Sequence, residues 1–166
     1  MKAAVTPALA YVGIGANLGD AAATVQEALR QLGQLPGSQL TARSSLYRSA
    51  PVDAQGADFM NAVAELKTQL APLELLHHLQ AIEHAHGRER PFRNAPRTLD
   101  LDLLLWGDLV MHTAELELPH PRAHLRAFVL VPLAELHPGL QWPGRGPIGP
   151  LLRAVAEQRI EMVERA

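Results

Sequence analysis

The stretch Leu99-Asp100-Leu101-Asp102-Leu103-Leu104-Leu105-Trp106 constrains the fold more than any other segment. Its first half alternates leucine with aspartate, the period of a strand that buries one face. Its second half is wholly apolar, as expected of a strand at the centre of a sheet, and Gly107-Asp108 supplies the turn that ends it. On such a strand Asp100 and Asp102 stand side by side, while Leu99, Leu101 and Leu103 pack on the opposite face.

Other segments build a sheet around this strand. Residues 9 to 16 read as a short buried strand running into a turn with glycines at 13, 15 and 19. A helix follows from an Asp20 N-cap, with Val25, Ala28, Leu29 and Leu32 on one face and Gly33 at the C-terminal cap position. Residues 39 to 49 and 59 to 70 read as two antiparallel strands joined by a loop from Ala50 to Asp58. Pro72 opens a second helix with Leu73, Leu76, Leu79 and Ile82 on its buried stripe, and Gly87 closes it.

Beyond Trp106, residues 109 to 118 are expected to return as a strand. Arg122 to Leu136 is expected as a helix in two pieces divided by Pro132, and Leu151 to Arg159 as a short amphipathic helix. The order strand, helix, strand, strand, helix, strand specifies an α+β fold: a ferredoxin-like split βαβ, with a mainly antiparallel sheet and helices packed on its faces.

Size and charge narrow the function. The chain has 166 residues, suiting a single domain over 1–166, and 48% of them are hydrophobic, enough for a core. The formal charge of -2 leaves no global cationic field for bulk nucleic acid or an anionic membrane. No apolar run approaches the roughly 18 residues of a membrane span. Pro7 interrupts the Ala-rich start, so a cleaved secretory signal is not expected. The absence of Cys excludes disulfides, thiolate metal sites and a cysteine nucleophile, and fits a reducing, cytoplasmic setting.

The average hides an asymmetry. Of 15 cations 13 are Arg, and Arg88, Arg90, Arg93 and Arg97 fall within ten consecutive residues. The planar guanidinium fork grips phosphate bidentately. This cluster runs directly into the Asp100/Asp102 strand, whose adjacent carboxylates repel unless cations compensate them and whose hard oxygens suit Mg²⁺ held on nucleotide phosphates. The two features explain each other if the ligand is a Mg-bound polyphosphate.

Other motifs carry less. The glycines at 13, 15 and 19 miss the dinucleotide-binding spacing and read as a structural turn. His120 and His124 lie four apart, but no third ligand at recognisable spacing makes them a zinc site, and His84 and His86 read as surface groups. Phe59 and Asn61 share a strand face and, with Phe128, are either core residues or a seat for a flat heterocycle, stacked by the rings and read at its edge by the amide.

The segment Asn94-Ala95-Pro96-Arg97-Thr98-Leu99-Asp100-Leu101-Asp102-Leu103, with Gly87-Arg88 ahead of it, resembles the signature of the 6-hydroxymethyl-7,8-dihydropterin pyrophosphokinases of the folate pathway. The likeness extends to Tyr11–Gly19, Ser45–Ser49, Phe59–Ala62, Pro119–Arg122 and Phe128–Leu133, in order and spacing from about Tyr11 to Pro138. It implies transfer of the β,γ-pyrophosphoryl group of ATP to the hydroxymethyl oxygen of the pterin, with release of AMP. It further implies two Mg²⁺ ions on Asp100 and Asp102, and catalytic phosphate contacts from Arg88 and Arg97 with Arg90 assisting. By the same resemblance Gln80, Glu83, Leu103, His120 and Arg126 face the nucleotide. Phe59 and Phe128 sandwich the pterin, and Asn61 with the backbone of Ser49 and Val52 reads its edge.

Two positions depart from the family pattern. Asn94-Ala95 stands where many relatives have Trp-Gly, leaving Phe92 as the aromatic nearest that loop, and Pro121 follows His120 where an aromatic is common. The expected partners are ATP and the pterin, with no nucleic acid or membrane, and the chain is expected to be a monomer. Two rival readings remain at this level. Another Mg-dependent DxD transferase using a nucleotide accounts for the acids but not for Phe59, Asn61 and Phe128. A non-catalytic RNA-binding ferredoxin-like module needs exposed aromatics where this sheet offers acids.

Overall fold

The computed structural model describes residues 6–17, 19–50, 58–87 and 99–166. Val52, Arg88, Arg90, Arg93 and Arg97, expected in the site, lie outside the described residues, as does most of the loop from Ala50 to Asp58.

Strand β1 (Ala8–Ala16) leads to helix α1 (Ala21–Leu32). The Asp20 carboxylate accepts the Ala23 N–H at 3.1 Å, satisfying one of the donors that a helix start leaves free. Val25, Ala28, Leu29 and Leu32 are buried as their spacing requires. Gly33 caps the C-terminus with right-handed backbone and gives its N–H to Leu29 O, so the cap makes no use of glycine's access to positive φ.

The single strand expected over 39–49 is two, β2 (Ser38–Arg43) and β3 (Leu46–Ser49), both antiparallel to β4 (Phe59–Thr68). Buried Ser44 divides them. Its hydroxyl accepts the Val63 N–H at 2.8 Å and donates to Ser45 O, so a side chain replaces a carbonyl in the ladder. In helix α2 (Pro72–Gly87) the fully buried line is Leu75 and Leu79. Leu73, Leu76 and Ile82 of the expected stripe flank that line and are only partly buried.

Strand β5 (Asp100–Trp106) departs most from expectation, for it lies at the edge of the sheet. The strand order is β10-β3-β4-β1-β5, with β2 also on β4. The edge is apolar because other elements cover it. Glu83 of α2 accepts the Leu101 N–H at 2.8 Å, and Leu104 O accepts the His120 N–H at 2.9 Å, so groups that an edge strand would leave to water are paired. A register shift opposite Tyr11 and Val12 inserts Leu104, and the alternation gives way to a run because Leu104 and Leu105 then pack in the same cluster.

The return strand expected over 109–118 is a separate two-stranded ribbon, β6 (Met111–His112) with β7 (Glu117–Leu118), turned by Thr113, whose hydroxyl accepts the Leu116 N–H. The two helical pieces exist, as a 3₁₀ turn at Ala123–Leu125 and helix α3 (Ala127–Leu136). The break falls at extended Arg126, however, and buried Pro132 sits inside α3, which tolerates one missing N–H.

After the small hairpin β8 (Gln141–Trp142) and β9 (Gly146–Pro147), helix α4 covers only Ile148–Ala154. The expected helix to Arg159 stops early because Gln158 is tied to the start of α3, accepting the Ala127 N–H and donating to Leu125 O, each at 2.8 Å. The chain then forms strand β10 (Ile160–Glu164) against β3.

One face of the sheet packs Ile14, Ala62, Leu101 and Leu103 against α1 and α2, and the other packs Tyr11, Val63, Leu104 and Leu105 against α3 and α4. Without β10, the antiparallel order β5-β1-β4-β2/β3 is the ferredoxin-like arrangement. Glu135 joins α3 to β3 by accepting the Ser45 N–H and hydroxyl and the Tyr47 hydroxyl. Among the described residues no helix is long and apolar enough to cross a membrane.

Candidate active site

The register of three strands builds the site. Gly15 of β1 pairs with Asp100 on one side and Asn61 on the other, and Gly13 pairs with Asp102 and Val63. Directly paired residues project from the same face. Two residues without side chains therefore separate the acids of β5 from the polar and apolar groups of β4, and this bare strip floors a cavity of about 190 Å³. Gly13 and Gly15 are thus strand residues lining the cavity and not part of a turn; of the three glycines only Gly19, at φ 58°, has turn geometry.

The cavity brings together most of the described residues expected in the site. Phe59 and Asn61 come from β4, Ser49 from the end of β3, Asp100 and Asp102 from β5, and Arg126 and Phe128 from the start of α3. Both Phe rings are half-buried, which leaves apolar area for a ligand. The Arg126 guanidinium carbon lies 5.6 Å from the Phe128 ring centre, within cation–π range. At the back, the Ser49 hydroxyl donates to Asn61 Oδ1 at 2.5 Å.

Asp100 and Asp102 are half-buried and share the cavity with one described cation, Arg126. Among the described residues no group of three or more His, Asp or Glu side chains forms a metal cage. Two hard carboxylates facing an open cavity suit an ion that takes its other ligands from phosphate and water, the habit of Mg²⁺.

The remaining expected residues lie off the cavity. The Glu83 carboxylate binds the backbone of β5 between the two acids, whereas Gln80 is exposed on α2. The Leu103 side chain is 4% exposed and belongs to the core. His120 lines a neighbouring cleft with His124 and Trp142. Its Nδ1 accepts the N–H groups of Arg122 and Ala123, both at 3.1 Å, so Nδ1 carries no proton. Burial holds His120 below the usual histidine range, the Asp102 charge opposes that shift, and Arg126 and Arg122 add to it.

Sequence comparison decides the family. The sequence model of 7,8-dihydro-6-hydroxymethylpterin-pyrophosphokinase (HPPK) matches residues 11–138. The chain belongs to this family. As a pyrophosphokinase it is similar to the 2-amino-4-hydroxy-6-hydroxymethyldihydropteridine pyrophosphokinase of Pseudomonas aeruginosa, 45% identical over 91% of this chain and 94% of that one. The protein of the same description from Haemophilus influenzae is 40% identical over 91% and 95%. In fold, the pyrophosphokinase matches a Plasmodium falciparum HPPK-DHPS structure with pteroate at a TM-score of 0.74 and 13% identity. A second HPPK-DHPS structure, in complex with substrates, matches at 0.73 and 12%. The chain spans less than half of those two longer chains, 49% and 44%, and 98% and 92% of its own length is covered.

The rival transferase and RNA-module readings give way to this family. The lining residues that sequence reasoning missed are Gly13, Ile14, Gly15, Ala50 and Val129. For the glycines a signal existed: two Gly spaced by two within a strand leave one face bare.

Proposed function

We propose that the cavity is the pterin seat of this pyrophosphokinase, with Phe59 and Phe128 stacking on the ring and Asn61 reading its edge beside the Asp100/Asp102 pair. The protein transfers pyrophosphate from ATP to 6-hydroxymethyl-7,8-dihydropterin, giving the pterin diphosphate and AMP in folate biosynthesis. The observation that carries the assignment of the seat is one cavity holding both aromatic rings, the Asn61 amide and the two carboxylates.

In this reading Asp100 and Asp102 would hold two Mg²⁺ ions for the nucleotide. Bound Mg²⁺ would supply charge neutralisation there and acidify the attacking hydroxyl. The chain's own residues act by positioning. The stacked rings hold the hydroxymethyl group toward the acids, and Arg126 lends positive charge to the same cavity. Arg88 and Arg97, with Arg90, act on the phosphates as catalytic and binding groups, while Gln80, Glu83 and His120 face the nucleotide and the backbone of Leu103, whose side chain is in the core, adjoins it. The backbone of Ser49 and Val52 completes the pterin edge.

We read the 166 residues as one such domain and a cytoplasmic monomer, and the near-neutral formal charge of -2 supports the absence of a nucleic-acid partner. The test is product analysis with ATP, Mg²⁺ and the hydroxymethyl dihydropterin in wild type and in Phe59→Ala and Phe128→Ala. AMP formation with a raised KM for the pterin in both variants supports the seat, and an unchanged KM contradicts it.

A further inference from the structure

Both ends of the Gln158 amide are committed to one short piece of backbone. Its Oε1 accepts the Ala127 N–H and its Nε2 donates to Leu125 O, each at 2.8 Å. These partners fix the amide's orientation, because the N–H needs the oxygen and the carbonyl needs the nitrogen. The residue they bracket is Arg126, the one described cation of the cavity.

Local structure does little to hold Arg126. Its backbone is extended, at φ -124° and ψ 120°, where the 3₁₀ turn ends and α3 begins, and it stands at the N-cap position of α3 without a side-chain bond to the helix. Among the described residues no carboxylate forms an ion pair with it, and its guanidinium lies against the half-buried Phe128 ring. Ala127 is 2% exposed, so without Gln158 its N–H loses its partner in a place largely closed to water.

Gln158 itself is exposed, so packing does not account for it. The segment that carries it supports the cavity from a second side, since Ile160 pairs with Ser49 at the end of β3. Both contacts come from the chain beyond residues 11–138, the part that the family model matches.

We infer that Gln158 is a positioning residue for the transfer reaction, clamping the backbone on both sides of Arg126 so that the guanidinium stays at the cavity for the anionic nucleotide. This rests on the cavity being the site of the reaction. ATP is a polyanion and the pterin carries no net charge, so a displaced cation is felt on the nucleotide side. A donor held in place also acts without reorganising as charge moves on the phosphates.

The experiment is a double-mutant cycle on steady-state kinetics with Gln158→Ala, Arg126→Ala and the pair, alongside hydrogen exchange at the Ala127 amide. Gln158→Ala is expected to lower kcat/KM for ATP about tenfold, the scale of one weakened charged contact, to change KM for the pterin by less than about twofold, and to speed exchange at Ala127. In the Arg126→Ala background the same substitution is expected to cost less than about twofold further, because the group it positions is gone. Equal losses in both backgrounds, a loss shared by ATP and pterin, unchanged kcat/KM in Gln158→Ala, or unchanged exchange at Ala127 each overturns the inference, while an impaired Arg126→Ala still supports the cavity as the site. Wild-type kinetics in Arg126→Ala overturns the inference together with the role of Arg126 in the cavity.

Discussion

The Glu83 carboxylate accepts the backbone N–H of Leu101 at 2.8 Å, and Leu101 lies between Asp100 and Asp102. A helix thereby closes the outer edge of the strand that carries both acids. Removing the acceptor leaves a buried N–H unpaired, at a cost of about 1–3 kcal/mol. Glu83→Ala is therefore expected to lower stability by that amount and to speed amide exchange at Leu101, whereas Glu83→Gln, which keeps an acceptor oxygen, retains protection. Hydrogen exchange at that amide checks both.

Asp100 and Asp102 face the cavity while Leu101 and Leu103 hold β5 in the core. Exchanging a carboxylate for an amide keeps shape and removes charge. Asp100→Asn and Asp102→Asn are each expected to lower turnover by about a hundredfold to a thousandfold, the scale of one lost electrostatic stabiliser, with little change in Tm. Steady-state kinetics with parallel thermal melts tests this, and wild-type turnover in either variant would remove the acids from the site.

Phe59 and Phe128 enter the cavity from β4 and α3. Each ring stacked on a flat ligand contributes about 0.5–1.5 kcal/mol beyond its buried area. Phe59→Ala and Phe128→Ala are each expected to weaken pterin binding about tenfold or more while leaving ATP affinity nearly unchanged. Calorimetric titration with each ligand separates the two effects.

His124 is 7% exposed, and among the described residues its Nδ1 has no hydrogen-bond partner. Burial, then the charges of Arg145 and His120, hold it below its ordinary value of 6.5. The unfolded chain therefore takes up a proton at higher pH than the folded one, and stability falls as pH drops below about 6.5 and is level in this respect above it. His124→Leu is expected to make Tm less sensitive to acid in that window. An equally steep loss in the variant would place the proton uptake elsewhere.

Where local chemistry decides the structure, the sequence was readable. The Asp20 cap, the helical spacing of Val25 to Leu32 and the Leu/Asp alternation of β5 each follow from a few neighbouring residues. The mainly antiparallel sheet with helices on its faces follows from the element order. Features set by distant partners were not readable. The edge position of β5 depends on Glu83 and His120, whose bonds cover groups the sequence leaves open, so an apolar run resembled a central strand. Strand β10 exists because Gln158 anchors the chain to the start of α3 and delivers it to β3. In the site, the acids, aromatics and Asn61 were legible from spacing and family likeness, but the bare Gly13/Gly15 strip emerged only with the β1 register. The Arg cluster and Val52 lie outside the described residues.

The central claim is that one cavity holds the pterin next to the ion-binding carboxylates. The direct test replaces Mg²⁺ by paramagnetic Mn²⁺, adds a non-hydrolysable ATP analogue, and records proton relaxation of the bound pterin's hydroxymethyl group in wild type and in Asp102→Asn. Strong relaxation in wild type that is sharply reduced in the variant, with pterin affinity kept, is the predicted result. A bound pterin whose hydroxymethyl protons are unaffected by Mn²⁺ in wild type would contradict the account.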